Sequence, residues 1–320
     1  MNAPTKLSRL QSLDSLPIDC LAALIGSIIC FSFSPIFIRF SELEMGPNAT
    51  TFNRFWIAAV VFGLLSSFLN VRHQKKETEP EGKNTHLRPE TRVLIADGVL
   101  VSMGLIAWAW SLTQTSVANS SIMHHMAPIF TILGGWLAFG QLFDRRFILG
   151  IFVAIAGVTL LEVNDLLSLS LAQQLPGDFA ALLSAVFFGV HSLITEQLRT
   201  KFKSVTIMTW SSTTSFLFIL PVAVITEEQL FPSSVTGWFS VIALAFVGQM
   251  LGVGLWTYCL KKISSGFAGL VGLVVPVLSS FEGWAIFSEP VGFLTLASLL
   301  VVLLGMYLAL SSRSAIKSGV

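Results

Sequence analysis

Apolar stretches of about twenty residues, broken by short polar turns, recur along the whole chain, and that is the length an α-helix needs to cross about 30 Å of hydrocarbon at 1.5 Å per residue. The pattern predicts spans near 18–40, 48–70, 92–112, 117–139 and 144–163, then near 176–197, 204–226, 236–260, 263–287 and 290–311. The stretch 71–91 is long and polar, with Lys75, Lys76, Glu77, Glu79, Glu81 and Lys83 beside Pro80 and Gly82, a composition that reads as a disordered connector. Residues 1–17 and 312–320 read as polar tails. The first apolar run is too long for the core of a cleaved signal peptide, so it is expected to be retained as the first span.

Sliding the chain on itself by 148 residues aligns Gly104–Leu161 with Gly252–Ala309 without a gap and brings identical residues together along the whole stretch. They include Gly104 with Gly252, Trp108 with Trp256, Pro128 with Pro276, Gly135 with Gly283, Trp136 with Trp284 and Gly157 with Gly305. An apolar bias aligns leucines by chance, but it does not align tryptophans, prolines and glycines. The beginnings of the halves match at a shift of 159, which pairs Pro17 with Pro176 and Asp19 with Asp178. Residues 18–163 and 176–311 thus read as two five-helix repeats. Five is odd, so the second repeat enters from the opposite side of the membrane. The expected fold is an all-α integral membrane protein of ten transmembrane helices arranged as two inverted repeats, an arrangement associated with secondary transporters.

Composition narrows the class further. Of 320 residues, 53% are hydrophobic and only 12% charged, against roughly a quarter charged in soluble domains, and the mean hydropathy is +0.77. The net charge of +1 gives no field for nucleic acid. Cys20, Cys30 and Cys259 have no metal-ligand spacing and read as small packing residues. With the amino terminus inside, 17 of the 19 lysines and arginines fall on the cytoplasmic side, which puts both termini in the cytoplasm. Only Arg39 and Arg54 lie in the outer half.

Polar residues at membrane depth are costly and therefore informative. His125 and His124 stand about 5 Å from the middle of span 4, too deep to reach water past the lipid. They are candidates for a titrating or substrate-binding role, with hydrogen bonding to a neighbouring helix as the plainer alternative. Adjacent histidines project about 100° apart, so they do not chelate one metal, and neither a metal nor a cofactor is expected. Glu282, about 10 Å beyond the middle of span 9, is a second candidate. Arg54 could pair with Glu282 or with a substrate carboxylate, and His191 could line a cavity in span 6. Trp108 and Trp256, each four residues after a matched glycine, are expected to lie over that glycine and to wall one central cavity. Pro128 and Pro276 are expected to kink their spans. Asp97 and Glu196 read as interfacial charges, and Asn53 and Gln249 as packing groups.

These motifs resemble the drug/metabolite transporter superfamily, specifically its EamA-type ten-span permeases. The resemblance is carried by Gly104 to Leu112, by Met126 to Gln141 with Pro128, by Val274 to Glu289 with Pro276, by the glycine-containing runs Ala156 to Leu160 and Leu304 to Leu308, and by Arg54. Gln141 departs from the glutamate that such permeases often carry after span 4, whereas Glu289 keeps it in the second half. The resemblance implies a carrier in the cell membrane, frequently an exporter, of amino acids, metabolites or drugs. Its partners would be a small-molecule substrate and the lipid bilayer, with no nucleic acid, and a homodimer stays open. An enzyme is disfavoured by the absence of HExxH, GxSxG and GxGD motifs. A channel or a non-transporting receptor or scaffold remains the alternative.

Overall fold

The structure, a computed structural model, describes residues 18–74, 89–115, 117–162, 175–288 and 291–312. Every helix or strand element among them is helical. The first half contains α1 (Ile18–Ser32), α2 (Ser34–Ser41), α3 (Pro47–Gln74), α4 (Pro89–Gln114), α5 (Val117–His124), α6 (Ala127–Phe139) and α7 (Arg145–Thr159), which ends in a 3₁₀ turn, Leu160–Glu162. The second contains α8 (Leu175–Lys201), α9 (Ser204–Thr226), α10 (Val235–Ala243), a π-helical segment Leu244–Val253, α11 (Gly254–Cys259), α12 (Ser265–Gly272), α13 (Val275–Phe287) and α14 (Phe293–Leu310). Helix α3 runs to Gln74 and α4 starts at Pro89, so both reach into the stretch read as a connector.

Among the described residues, nine helices or helix pairs are long and apolar enough to cross a membrane. They correspond to nine of the ten predicted spans. The fifth, predicted at 144–163, is the 15-residue α7 with its 3₁₀ turn. Its α-helical part rises about 22 Å, short of a full crossing, and the turn adds about 6 Å.

The burial pattern inverts that of a soluble protein. Leu137, Leu300 and Phe152 point outward with more than half their surface exposed, while Ser27, Ser111, Ser184 and Ser298 are fully buried. Those hydroxyls answer polar groups inside the bundle: Ser27 donates to Gly252 O at 2.9 Å and Ser298 to Gly157 O at 2.6 Å. Such bonds bring helices together where lipid offers no hydrophobic drive to do so. A large apolar core joins α1, α7, α12 and α14 through Leu24, Ile151, Phe267 and Val302.

Several features recur in both halves at the same shift. Two residues separate α5 from α6 and α12 from α13, and Pro128 and Pro276 stand in the first turn of the new helix. The prolines therefore start second helices instead of bending continuous ones, because each lacks the amide that would have continued the ladder. Helix α6 closes at Gly140 with φ 62°, its amide on the carbonyls of Gly135 and Trp136; α13 closes at Ser288 with φ 57°, its amide on Gly283 and Trp284. A serine adopts the left-handed conformation where the earlier helix uses glycine. Packing is matched as well. Helix α4 lies along α8 as the π segment and α11 lie along α1, while α3 meets α9 and α7 meets α14.

The halves also differ. Helices α1 and α2 are broken at Phe33, since Pro35 leaves the Phe31 carbonyl without its usual donor, whereas α8 is continuous. Helix α4 is a regular α-helix, but its counterpart contains the π segment. The irregular backbone of α1/α2 and of the π segment is packed together.

Candidate functional site

Among the described residues, three polar clusters bear on the site. The first is built by α4, α5 and α8. The His124 ring stacks on Trp108 with centroids 4.6 Å apart, meets Phe188 edge-on at 5.0 Å, and brings Nδ1 within 3.0 Å of Ser184 Oγ. Nδ1 of His125, just past the end of α5, lies 2.6 Å from Ser121 O, a carbonyl to which it can only donate. Trp108 Nε1 is buried without a partner.

One turn beyond Phe188, His191 Nδ1 approaches Asp97 Oδ1 at 3.0 Å, an ion-pair contact without good hydrogen-bond alignment. Thr195 Oγ1 donates to the same oxygen at 2.6 Å, and Oδ2 has no partner. Asp97 is 1% exposed, so it is no interfacial charge. Glu196 is equally buried and accepts the Ser265 amide at 2.7 Å, which ties α8 to the start of α12. Sequence spacing hid both. Their partners come from other helices, and an acid near a helix end reads as interfacial until the packing is known.

The second cluster joins α3 to the π segment. Arg54 donates from Nε to Gln249 Oε1 at 2.9 Å, and Gln249 is buried. Asn53 beside it donates to Ala49 O and to Leu230 O, and accepts from Trp56 Nε1. Glu282, which sequence reasoning offered as a partner of Arg54, instead accepts from Ser32 Oγ at 2.6 Å between α1 and α13.

The tryptophans do not lie over the glycines one turn earlier. The ring on Gly104 is that of Phe188, and the ring on Gly252 is that of Phe31, each 2.9 Å from where a Cβ would stand. A helix side chain leans on a neighbouring helix when that helix comes this close. Trp108 rests on His124, and Trp256 lies 3.2 Å from a Cβ placed on Gly272, the residue that matches His124. Both tryptophans are partly buried. Histidine thus fills in one half the place that glycine leaves to tryptophan in the other.

The third cluster closes the turns between α2 and α3 and between α9 and α10. Glu44 accepts from the amides of Ser233 and Ser234 at 3.0 and 3.1 Å and from both their hydroxyls. Glu227 accepts the Asn48 amide at 3.0 Å. Each acid caps the helix that follows the other's turn, where unsatisfied amides favour an anion. Both carboxylates lie directly on a glycine: a Cβ on Gly46 would overlap the Glu227 carboxylate and one on Gly237 would stand 2.6 Å from Glu44, so a side chain at either would have to displace the acid. Ser234 and the backbone donors hold the Glu44 carboxyl below the usual carboxylate range. Burial and the nearby charge of Glu227 push the Glu42 carboxyl above it. Glu289 lies outside the described residues.

Among the described residues, two cavities lie away from the first two clusters. One of about 350 Å³, between α6 and α7, is lined by apolar side chains such as Ile132, Trp136 and Phe152. The other, about 520 Å³ at the α8–α9 turn, is lined by Lys201, Lys203 and Lys261 among others.

Comparison with known proteins agrees with this architecture. An uncharacterized transporter of Archaeoglobus fulgidus is 23% identical over 293 residues, covering 90% of this chain and 96% of its own length. A protein of Salmonella typhimurium named "Probable amino-acid metabolite efflux pump" is 22% identical over 227 residues, covering 68% of this chain and 75% of that protein. A solved crystal structure superposes with a TM-score of 0.74 at 15% identity, covering 91% of this chain and 96% of the other, so the fold is shared. The model of the EamA-like transporter family matches residues 18–163 and 175–311, nearly the whole described chain in two halves. The protein is an integral membrane protein and belongs to the EamA-like transporter family.

Proposed function

We propose that the protein is a secondary-active exporter of small organic metabolites such as amino acids, working by alternating access between two inverted five-helix repeats. The observation that carries this reading is the matched construction of the halves. The same helix break and the same cap recur at one shift, with Pro128 and Pro276 at the breaks, and the helices of the two halves cross-pack in matched pairs. Two similar halves of opposite orientation can exchange conformations, and that exchange exposes a site between them to either side in turn. Helix α7 with its 3₁₀ turn completes ten spans, and both termini lie in the cytoplasm. Export and the amino-acid class are supported by the name of the Salmonella relative.

In this mechanism the two polar clusters at membrane depth supply substrate contacts or the coupling proton. His125 is the leading candidate, with His124, Glu282 and His191 beside it. Trp108 and Trp256 wall the cavity, and Arg54 binds an anionic group. The outer turns, closed by Glu44 and Glu227, must part when the carrier opens outward.

A strain lacking the protein, loaded with a panel of labelled amino acids and related metabolites, tests the reading. Slower efflux of particular solutes, restored by the wild-type gene, is the expected result. Unchanged efflux of every solute in the panel would count against an exporter of this class.

A further inference from the structure

We propose that Arg54 docks the carboxylate of the transported solute, with Gln249 holding its guanidinium in the receiving orientation. The inference rests on the transporter reading and adds which group of the solute is gripped, and by which residues.

Arg54 is the eighth residue of α3, about 10 Å along the helix from its outer end. Its neighbours Asn53 and Phe55 are 0% and 1% exposed, whereas Arg54 remains partly accessible. A lipid-facing arginine at this depth would snorkel toward the headgroups. Arg54 turns to the π segment instead, and its one hydrogen bond there uses Nε. Among the described residues no carboxylate forms an ion pair with it, and both terminal Nη groups lack a protein acceptor. Glu282 is engaged with Ser32, and Arg39 lies over the Phe287 ring at 4.2 Å. A guanidinium is always charged, so a cation stands within the bundle with no counter-charge.

The free edge is well defined. A guanidinium is planar, so fixing Nε fixes the plane, and the Nη1/Nη2 edge is left to grip two oxygens in parallel. One guanidinium balances one carboxylate. A phosphate dianion would need a second cation.

The backbone around the pair gives an independent argument. Gln249 lies in the π-helical segment, and π insertions in α-helices concentrate at functional sites. The break between α1 and α2 packs against that segment. Irregular backbone at membrane depth is tolerated where protein encloses it or where it lines a wet cavity. The matched half has neither feature: Val101 stands in the regular helix α4 at the place of Gln249. The fold therefore does not require the polar pair, and its presence in one half alone points to a ligand.

The test uses thermal unfolding of the purified full-length protein in lipid nanodiscs. The probes are an equimolar mixture of L-amino acids, the corresponding mixture of amino-acid amides, and inorganic phosphate. Expected is a rise in melting temperature with the acids and none with the amides or phosphate. Arg54→Gln abolishes the rise, and Arg54→Lys requires roughly tenfold more acid for it, the scale of one lost charge-assisted hydrogen bond. The acid-against-amide comparison on the wild type needs no variant, so it decides even if a variant misfolds. Equal stabilisation by amides, stabilisation by phosphate alone, no stabilisation by the acids, or an acid effect that survives Arg54→Gln would each overturn the assignment. If amides stabilise and also exchange in counterflow, the transporter reading stands while the Arg54 assignment falls.

Discussion

The crossing of α7 and α14 yields a quantitative prediction. At this crossing a Cβ added to Gly150 would stand 2.5 Å from Gly305 O and 2.8 Å from Ala309 N; one added to Gly305 would stand 2.5 Å from Gly150 O and 2.6 Å from Ala154 N. Ordinary carbon–oxygen contacts between helices lie at about 3.3–3.6 Å, so either substitution must open a gap of about 1 Å. The obstacle is backbone, which cannot rotate away. Overpacking of this kind costs about 1–3 kcal/mol, and the better helix propensity of alanine returns at most about 1 kcal/mol. Gly150→Ala and Gly305→Ala are therefore expected to lose about 1–2 kcal/mol each in reversible unfolding by SDS in mixed micelles. The double variant should lose less than the sum, because the first substitution already separates the helices. Gly63→Ala and Gly254→Ala, whose added Cβ meets nothing within 4 Å, serve as controls and should be neutral or slightly stabilising. If all four behave alike, the close crossing is not as described.

Three further outcomes follow from other contacts. His191→Gln should destabilise the protein by about 1–3 kcal/mol by taking from the buried Asp97 the ring that faces it at 3.0 Å, and Asp97→Asn in the same chain should restore most of the loss in the same unfolding assay. The Glu44 carboxyl lies below its ordinary value, so its hold on Ser233 and Ser234 is complete above that value and is lost as pH falls through the depressed one; amide exchange at these residues, corrected for intrinsic rates, should show this, and Glu44→Gln should remove the protection at neutral pH. For topology, single cysteines at Lys75 and Glu228 should react with an impermeant reagent from opposite sides of the membrane, and labelling of both in intact cells would refute the orientation.

Much of the architecture was legible because the bilayer imposes one rule on every span. Apolar runs of fixed length predicted nine of the helices closely, and aligned prolines marked the breaks before α6 and α13. Contacts across the bundle were less legible. The Asp97–His191–Thr195 group unites residues nearly a hundred positions apart, and period counting cannot see that. The tryptophans were assigned to the wrong neighbour because helix-internal spacing ignores a phenylalanine arriving from another helix. Pro35, inside the first apolar run, was an available signal for the α1/α2 break. Nothing in the residues of 244–253 announces π geometry, since it depends on how Gly248 and Gly252 pack against Ser34 and Phe31.

The central claim is that the molecule exchanges solute across the membrane through a site open to one side at a time. Counterflow in proteoliposomes tests it most directly: vesicles preloaded with an unlabelled amino-acid mixture are diluted into a trace of the labelled mixture. An alternating-access carrier predicts a transient accumulation of label above equilibrium that saturates with internal solute and is lost in Arg54→Gln. Label that only equilibrates, at a rate linear in concentration, would identify a channel, and no protein-dependent flux of any labelled solute would contradict transport itself.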